Sequence, residues 1–230
     1  MGALVPLGDA SRRPRFSAGV TILIILVNAW VFFLELAGGD AFVNAYSAVP
    51  VKITHGHHGY TLITSMFMHA SWMHIIGNMV FLWAFGPAME DVMGHLGYLV
   101  FYLAGGIIAM CGQVLGSPYS HVPCLGASGA IAAVMGAFIV TFPRDRIRTL
   151  VWILIFIRIT YIPALFLIGF WILIQLFQFG MVSSNVQTGG VAYLAHISGF
   201  LFGAVLGRVF VDKKRLAMLR NPWGMIGTRG

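Results

Sequence analysis

The sequence predicts an all-α membrane protein, in which six transmembrane helices form one bundle and both termini lie in the cytoplasm. Of its 230 residues, 59% are hydrophobic and only 9% are charged, which leaves too little charge to cover the surface of a soluble domain. A helix needs about 20 apolar residues to cross the bilayer core. Runs of that kind, bounded by polar residues, Pro or Gly, are 18–36, 71–88, 95–112, 126–142, 162–179 and 190–211.

The fifth run is the least regular, because residues 149–179 are nearly all apolar but include Arg158 and Pro163. An arginine at mid-membrane costs about 2.5–3.5 kcal/mol on insertion scales, so Arg158 is expected at the interface. Pro163 is a favourable first-turn residue, and the span is expected to begin near it. Residues 149–157 are then expected along the membrane surface.

The distribution of Lys and Arg sets the orientation, because cytoplasmic loops carry an excess of both. Only Lys52 lies between the first and second runs, opposite the other clusters. Residues 37–70, 113–125 and 180–189 are therefore the expected extracytoplasmic loops. The cytoplasmic clusters are Arg12, Arg13, Arg15, Arg144, Arg146, Arg148, Arg158, Arg208, Lys213, Lys214, Arg215 and Arg220.

This topology divides the chain into a cytoplasmic N-terminal segment (1–17), a six-span domain (18–211) and a basic cytoplasmic tail (212–230). The anchoring clusters explain the net charge of +7, so the lipid bilayer is an expected partner and nucleic acid is not. We expect a multi-pass protein of a bacterial cell (inner) membrane.

Polar side chains from three runs converge in the outer half of the predicted bundle. Ser128, in CLGASGA, lies in the first turn of the fourth run. His196 lies six residues, or roughly 9 Å, into the sixth. His74 and Asn78, in HASWMHIIGNM, share one helix face at i and i+4. Because ionisable residues at this depth are costly and usually face a polar interior, the convergence indicates a functional site.

Acyl transfer is the chemistry that such a set supports. A serine hydroxyl becomes nucleophilic when a positioned base accepts its proton, and His196 is the candidate base for Ser128. Glu35 closes the first run and no acid lies at matching depth, which predicts a dyad rather than a triad. The Asn78 amide, the His74 ring and the Ser128 N–H could donate to the oxyanion.

Small residues on two runs suggest how the dyad would form. His196, Gly199 and Gly203 share a helix face, and the two glycines form a GxxxG pattern that permits close helix contact. The fourth run offers a matching surface, which should bring His196 to roughly 2.6–3.2 Å from Ser128. Its small residues are Gly126, Ala127, Gly129, Ala130, Ala133, Gly136 and Ala137.

These motifs resemble those of rhomboid intramembrane serine proteases. The similarity rests on GASGA, AHISGFLFG and HASWMHIIGNM, with residues 81–106 also similar to the segment that joins the second and third spans of that family. It extends over residues 18–211 and follows the same order. One departure is visible: many members carry a Trp-Arg pair in the first outer loop, and residues 37–70 contain neither.

The resemblance implies a rhomboid-like six-helix bundle with a Ser128 nucleophile and a His196 base. It also implies that the oxyanion is surrounded by His74, Asn78 and the backbone near Gly126 and Ser128. Substrates would be single-span membrane proteins, admitted laterally beside the second and fifth spans and cut near the extracytoplasmic end of their transmembrane segment. The sequence suggests no cofactor.

Several alternatives remain for these residues. The serine could be a small residue at a helix seam, the histidines could bind haem or ions, and His74 could simply bond to a neighbouring helix. A rhomboid-like pseudoprotease, which binds membrane proteins without cleaving them, is the second interpretation of the whole chain. The loop sequence HGHH, residues 55–58, has no neighbouring carboxylate or cysteine, so no metal site is expected there.

Overall fold

The computed structural model describes residues 2–11, 17–153, 155–182 and 192–220. Six long helices make up most of these residues. Between them lie two short helices, α2 and α3, and a 3₁₀ turn at Ser65–Phe67, and a further short helix, α9, follows the last long one. The helices are α1 (Gly19–Tyr46), α2 (Pro50–Thr54), α3 (Thr61–Thr64), α4 (Trp72–Met93), α5 (His95–Gly116), α6 (Ser128–Thr141), α7 (Ala164–Val182), α8 (Tyr193–Phe210) and α9 (Lys213–Arg220).

Each predicted run coincides with one long helix. Three of them, α1, α5 and α8, are long and apolar enough to cross a membrane, and α6 and α7 are shorter apolar helices. Helix α1 continues ten residues beyond the predicted end, with a kink at Gly39, whose φ of 55° lies in the region that glycine tolerates best. Arg12, Arg13 and Arg15, most of the loop 180–189 and residues 221–230 fall outside the described residues.

The described residues are mostly helical, as predicted, but they are not all-α, because three strands form an antiparallel sheet in the order β1-β2-β3. They are β1 (Gly2–Asp9), β2 (Arg146–Ile153) and β3 (Phe156–Pro163). In β2, Arg146 and Arg148 are exposed whereas Ile147 and Thr149 are buried, the two-residue alternation of a strand. The segment 149–157, expected to lie along the surface, therefore belongs to a β-hairpin. The predicted N-terminal segment contributes its partner strand, with Gly2 opposite Ile153.

Contacts between helix ends show that successive long helices alternate in direction. The strand before α1 pairs with the segment after α6, and the Arg208 guanidinium near the end of α8 donates to the Val140 carbonyl near the end of α6, with Nη2 at 2.6 Å. The Asp212 N–H after α8 donates to Val92 near the end of α4, at 2.9 Å. The even-numbered long helices thus end on the same side as the sheet.

The other side of the bundle holds the start of α6. Ala48, just after α1, pairs with Cys124, just before α6, and the Val51 N–H donates to the Ser120 carbonyl after α5. Helix α6 lies at the centre, since every residue from Gly129 to Phe138 is buried. A buried start of α6 therefore lies at the end of the bundle opposite the basic clusters.

A buried carboxylate connects α4 to α1. Ala18 at the start of α1 supplies no side-chain cap, and Glu90, only 1% exposed, replaces it. Its two oxygens accept from the N–H groups of Val20 and Thr21, both at 2.8 Å, and from the Thr21 hydroxyl at 2.7 Å. They also contact His95 Nδ1 at 2.6 Å. The negative charge lies at the positive end of the α1 dipole.

Glu90→Ala is expected to lower the free energy of unfolding by about 2–4 kcal/mol, because the buried N–H of Thr21 and the partly buried N–H of Val20 lose their acceptor. Glu90→Gln keeps one acceptor oxygen and should cost less. Unfolding in mixed micelles measures both, with the exposed Asp40→Ala as control. Equal stability of Glu90→Ala and Asp40→Ala would contradict the capping role.

Candidate active site

Ser128 is the first residue of α6, and its position depends on the loop before it. Gly126 has a φ of +132°, a region that L side chains rarely adopt, and its N–H donates to the Ser65 carbonyl at 2.8 Å. As the first residue of the helix, Ser128 has an N–H with no intrahelical acceptor. The small residues around it leave its hydroxyl open to α8.

The structure brings the hydroxyl of Ser128 to the ring of His196. The Oγ to Nε2 distance is 2.6 Å, within the range expected for a nucleophile and its base. The sequence predicted that His196 lies six residues into the sixth run. In the structure α8 begins at Tyr193, so His196 lies in its first turn. Both side chains therefore occupy first turns of neighbouring helices at the same end of the bundle.

A third polar residue, Gln175, contacts His196 from α7. Its Oε1 lies 2.7 Å from His196 Nδ1, and its side chain is 7% exposed. The Trp171 ring, one turn earlier on α7, lies 5.5 Å from the His196 ring between centroids, tilted by 41°. Sequence reasoning missed both residues. The signal was available, because Gln175 is a polar residue four positions from Phe179, the predicted outer end of the fifth run.

His74 and Asn78 lie on α4, whose start is capped by the Ser71 hydroxyl accepting from the His74 N–H at 3.2 Å. A Cβ placed on Gly126 would lie 2.9 Å from His74 Cε1 and 3.7 Å from Ser128 Oγ, so the His74 ring is beside the start of α6. Asn78 is buried, and its Nδ2 has no hydrogen-bond partner within the described part of the chain. A donor without a partner is therefore held one turn below His74.

The resemblance implied that the backbone near Gly126 surrounds the oxyanion, but in the structure the N–H of Gly126 itself has another acceptor. Its N–H is already used by the Ser65 carbonyl, so that group is not free to bind an oxyanion. The absence of a side chain is what the site requires, since any Cβ would press on the His74 ring. Gly126 thus makes room for His74.

Two further polar residues, which the sequence analysis did not assign to the site, support His74. The His69 ring is 1% exposed and lies edge-on to the His74 ring at 5.1 Å. Burial, with a smaller contribution from His74, lowers the pKa of His69 to about 3, so this ring is neutral at pH 7. The His69 N–H donates to Glu35 Oε2 at 2.9 Å. The sequence predicted that Glu35 closes the first run, but in the structure it lies within α1, which continues to Tyr46.

Helices α6 and α8 meet almost backbone to backbone. A Cβ on Gly199 would overlap the Gly129 carbonyl, and one on Gly203 would overlap the Ala133 carbonyl. A Cβ on Gly207, which was absent from the predicted seam, would press on the Cβ and Cα of Ala137. The contacts repeat every fourth residue along both helices, and this seam carries His196 to Ser128.

The space next to the serine is small. A cavity of about 20 Å³ borders Gly126, Ser128 and Ala195, which is enough for one water molecule. A peptide segment does not fit there without displacement of neighbouring elements.

The loop histidines lie apart from these residues. His55 Nδ1 lies 2.7 Å from its own helix at Val51 O, and His58 stacks on Tyr60 at 5.6 Å. Among the residues that the structure describes, no three His, Cys, Asp or Glu side chains are grouped as metal ligands.

The fold and this geometry define a class, that of integral membrane proteins with a partly buried serine hydrogen-bonded to a buried histidine at one end of a helical bundle. The chain belongs to the rhomboid family: the family model of the rhomboid domain matches residues 56–213. The resemblance inferred from the motifs is thereby confirmed.

Three curated relatives come from a bacterium, a plant and a yeast. Rhomboid protease GluP of Bacillus subtilis (strain 168) is 31% identical over 80% of this chain. Rhomboid-like protein 11, chloroplastic, of Arabidopsis thaliana is 26% identical over 85% of it. Rhomboid protein 1, mitochondrial, of Saccharomyces cerevisiae (strain ATCC 204508 / S288c) is 26% identical over 70%. The chain spans 33%, 67% and 45% of their respective lengths.

Proposed function

We propose that the chain is an intramembrane serine endopeptidase with Ser128 as nucleophile and His196 as general base. The 2.6 Å contact between Oγ and Nε2 is the observation that carries this proposal. His196 Nε2 takes the hydroxyl proton as Oγ attacks the peptide carbonyl, and the same proton then goes to the leaving amine. A water molecule, activated by His196 as general base, then hydrolyses the acyl-enzyme and releases Ser128.

Three donors are candidates for the oxyanion. The free Nδ2 of Asn78, the ring of His74 and the N–H of Ser128 at the start of α6 all belong to elements that meet at the serine. Preorganised donors of this kind stabilise the developing charge without reorganisation during the reaction. Gly126 contributes by its lack of a side chain, which leaves room for the His74 ring.

Asn78→Ala is expected to reduce kcat by about 10²–10³-fold, because one oxyanion donor is lost. In Asn78→Asp the new side chain has the same shape but lacks the amide donor, so its kcat should be reduced at least as much. If Asn78 only fills space, Asn78→Asp should keep the wild-type kcat. Single-turnover rates on a purified reporter substrate distinguish these cases. Full activity of Asn78→Asp would assign the residue to packing.

The membrane orientation is also a proposal. Six long helices of alternating direction fit six spans, and the basic clusters Arg144, Arg146, Arg148 and Arg208 lie at the end with the sheet, which favours that end as cytoplasmic. Ser128 and His196 then lie near the extracytoplasmic surface. In a background lacking Cys111 and Cys124, an impermeant thiol reagent should label Tyr119→Cys and not Lys213→Cys. The reverse pattern would contradict the orientation.

We infer substrates from the depth of the dyad. A single-span membrane protein would present the extracytoplasmic end of its helix to Ser128, and small or helix-weakening residues there would free the scissile bond from its own hydrogen bonds. The small cavity beside Ser128 requires the neighbouring helices to separate for the substrate. Mapping the cut site by mass spectrometry tests this; cleavage at the cytoplasmic end would refute it.

The bacterial cell (inner) membrane is the proposed location. The Bacillus subtilis relative supports it, and the chloroplastic and mitochondrial relatives name the alternatives. Fractionation of the native source, with detection of the chain in purified membranes of each type, decides among them.

The experiment that tests the function uses the purified full chain in detergent with a fluorophosphonate probe. We expect the wild type to be labelled and to cut a single-span reporter, and Ser128→Ala to do neither. A folded wild type that is neither labelled nor active would favour the pseudoprotease. The haem alternative is disfavoured, because both ring nitrogens of His196 are already hydrogen-bonded; a Soret band in purified protein would revive it.

A further inference from the structure

We propose that Gln175 is a positioning residue, which holds the His196 ring in the tautomer that accepts the serine proton. The inference rests on the proposed function and adds a third member to the predicted dyad. Its basis is the 2.7 Å contact of Gln175 Oε1 with His196 Nδ1, on the side of the ring opposite Ser128.

The contact determines the useful tautomer. A neutral imidazole carries one N–H and one lone pair, and only a lone pair on Nε2 can accept the hydroxyl proton of Ser128. Nδ1 must then carry the hydrogen, and the amide oxygen of Gln175 accepts it. In the opposite tautomer Nε2 would point an N–H at the serine oxygen, and the base would be unavailable.

Burial makes this hydrogen bond consequential. Both His196 and Gln175 are 7% exposed, so little water is available to replace a lost partner, and an unsatisfied buried donor is costly. The two buried glutamates of the described residues are engaged elsewhere: Glu35 accepts from the His69 N–H and Glu90 accepts from α1. Gln175 is thus the acceptor that the structure places at this nitrogen.

A second contact from α7 restricts the same ring. Trp171 and Gln175 are four residues apart, so they share one face of the helix, and the Trp171 ring lies 5.5 Å from the His196 ring. The amide fixes the direction of the Nδ1–H bond, and the indole limits tilting of the imidazole plane. Helix α7 therefore orients the base of α8 from two points.

An amide suits this depth better than a carboxylate. An ionised carboxyl group in the membrane requires a partner or water, whereas an amide oxygen accepts the same hydrogen bond without a full charge. The positioning role needs only an acceptor at this place. Gln175→Glu should therefore retain the role in either protonation state of the new side chain.

The activity test compares Gln175→Met, which keeps length but has no acceptor, with Gln175→Glu, which keeps the acceptor. Gln175→Met should lower kcat by about 10- to 100-fold, as expected for an unsatisfied buried donor, with KM within threefold of wild type. Gln175→Glu should restore most of the rate. The control is Gln178→Met, the same change at an exposed residue of α7, which should leave kcat unchanged.

Nitrogen-15 spectra of histidine-labelled protein give a readout that does not need proteolysis. In the wild type, the His196 signals, assigned by their loss in His196→Ala, should show Nδ1 protonated and Nε2 unprotonated. The Gln175→Met spectrum should show a mixture. A wild type with the hydrogen on Nε2, or wild-type kcat in folded Gln175→Met, would overturn the inference. A fixed Nδ1–H tautomer in a wild type that neither cleaves nor binds the probe would instead refute the proposed function alone.

Discussion

Ser128→Ala, His196→Ala and the double variant are each expected to lose proteolysis by on the order of 10⁶-fold, with the double variant no worse than either single one. The two side chains act as one unit: without His196 the Ser128 hydroxyl keeps its proton, and without Ser128 the base has nothing to activate. Their losses should therefore not add.

The structure supplies matched controls for both residues. Ser198 lies on α8 with its hydroxyl facing Gly112 of α5, so Ser198→Ala makes the same chemical change away from the dyad. His57 is exposed in the loop between α2 and α3, so His57→Ala is the matched control for His196→Ala. Both controls should cleave a single-span reporter at close to the wild-type rate.

Quantitative cleavage in liposomes, after each variant is shown to be inserted and monodisperse, measures these effects. Losses that multiply in the double variant would mean that Ser128 and His196 act independently. Retention of a tenth of the activity in either single variant would show that another residue performs its step.

The polar positions of the site were predictable because a membrane makes them exceptional. Among apolar runs, Ser128, His196, His74 and Asn78 could be placed by counting residues from the outer ends of their spans, and the structure brings the first two together. Gln175 was open to the same counting on the fifth span. It was missed because an uncharged amide draws less attention than a histidine.

The sheet was harder to foresee. Strand β1 pairs with residues more than 130 positions away, and no local pattern in GALVPLGD specifies that partner. In β2 the alternation of Arg146, Ile147, Arg148 and Thr149 did carry a strand signal. The prediction nevertheless placed residues 149–157 along the membrane surface, since the long apolar stretch that follows obscured the turn at Ile155.

The role of Gly126 in the site could not be predicted from the sequence either. The N–H of a glycine near a candidate nucleophile is a reasonable oxyanion donor, and only the three-dimensional contact with the Ser65 carbonyl excludes it. Hydrogen bonds between distant loops depend on how the helices place those loops. Periodicity along one helix contains no such information.

Gly199→Val is expected to lower proteolysis by at least about 10²-fold, although the residue touches no catalytic atom, because a displacement of about 1 Å in a catalytic pair has that effect. A Cβ at this position would overlap the Gly129 carbonyl, one residue beyond Ser128. The valine must therefore push α8 away from α6, and His196 moves with it.

Gly199→Ala is expected to impair proteolysis as well, though less than Gly199→Val. The single methyl group of alanine already overlaps a backbone oxygen, which cannot rotate away as a side chain would. Valine adds two more carbons at the same seam.

Gly169→Val on α7 is the matched control, because a Cβ there meets nothing within 4 Å. All three variants are assayed on one single-span reporter and with the fluorophosphonate probe, after correct insertion is confirmed. Cleavage and probe labelling should fall together in Gly199→Val and stay near wild type in Gly169→Val, because both reactions need the contact of Ser128 with His196. If a well-folded Gly199→Val kept the wild-type rate, α6 and α8 would not bring the dyad together through this face, and the assignment of His196 as the base would lose its geometric support.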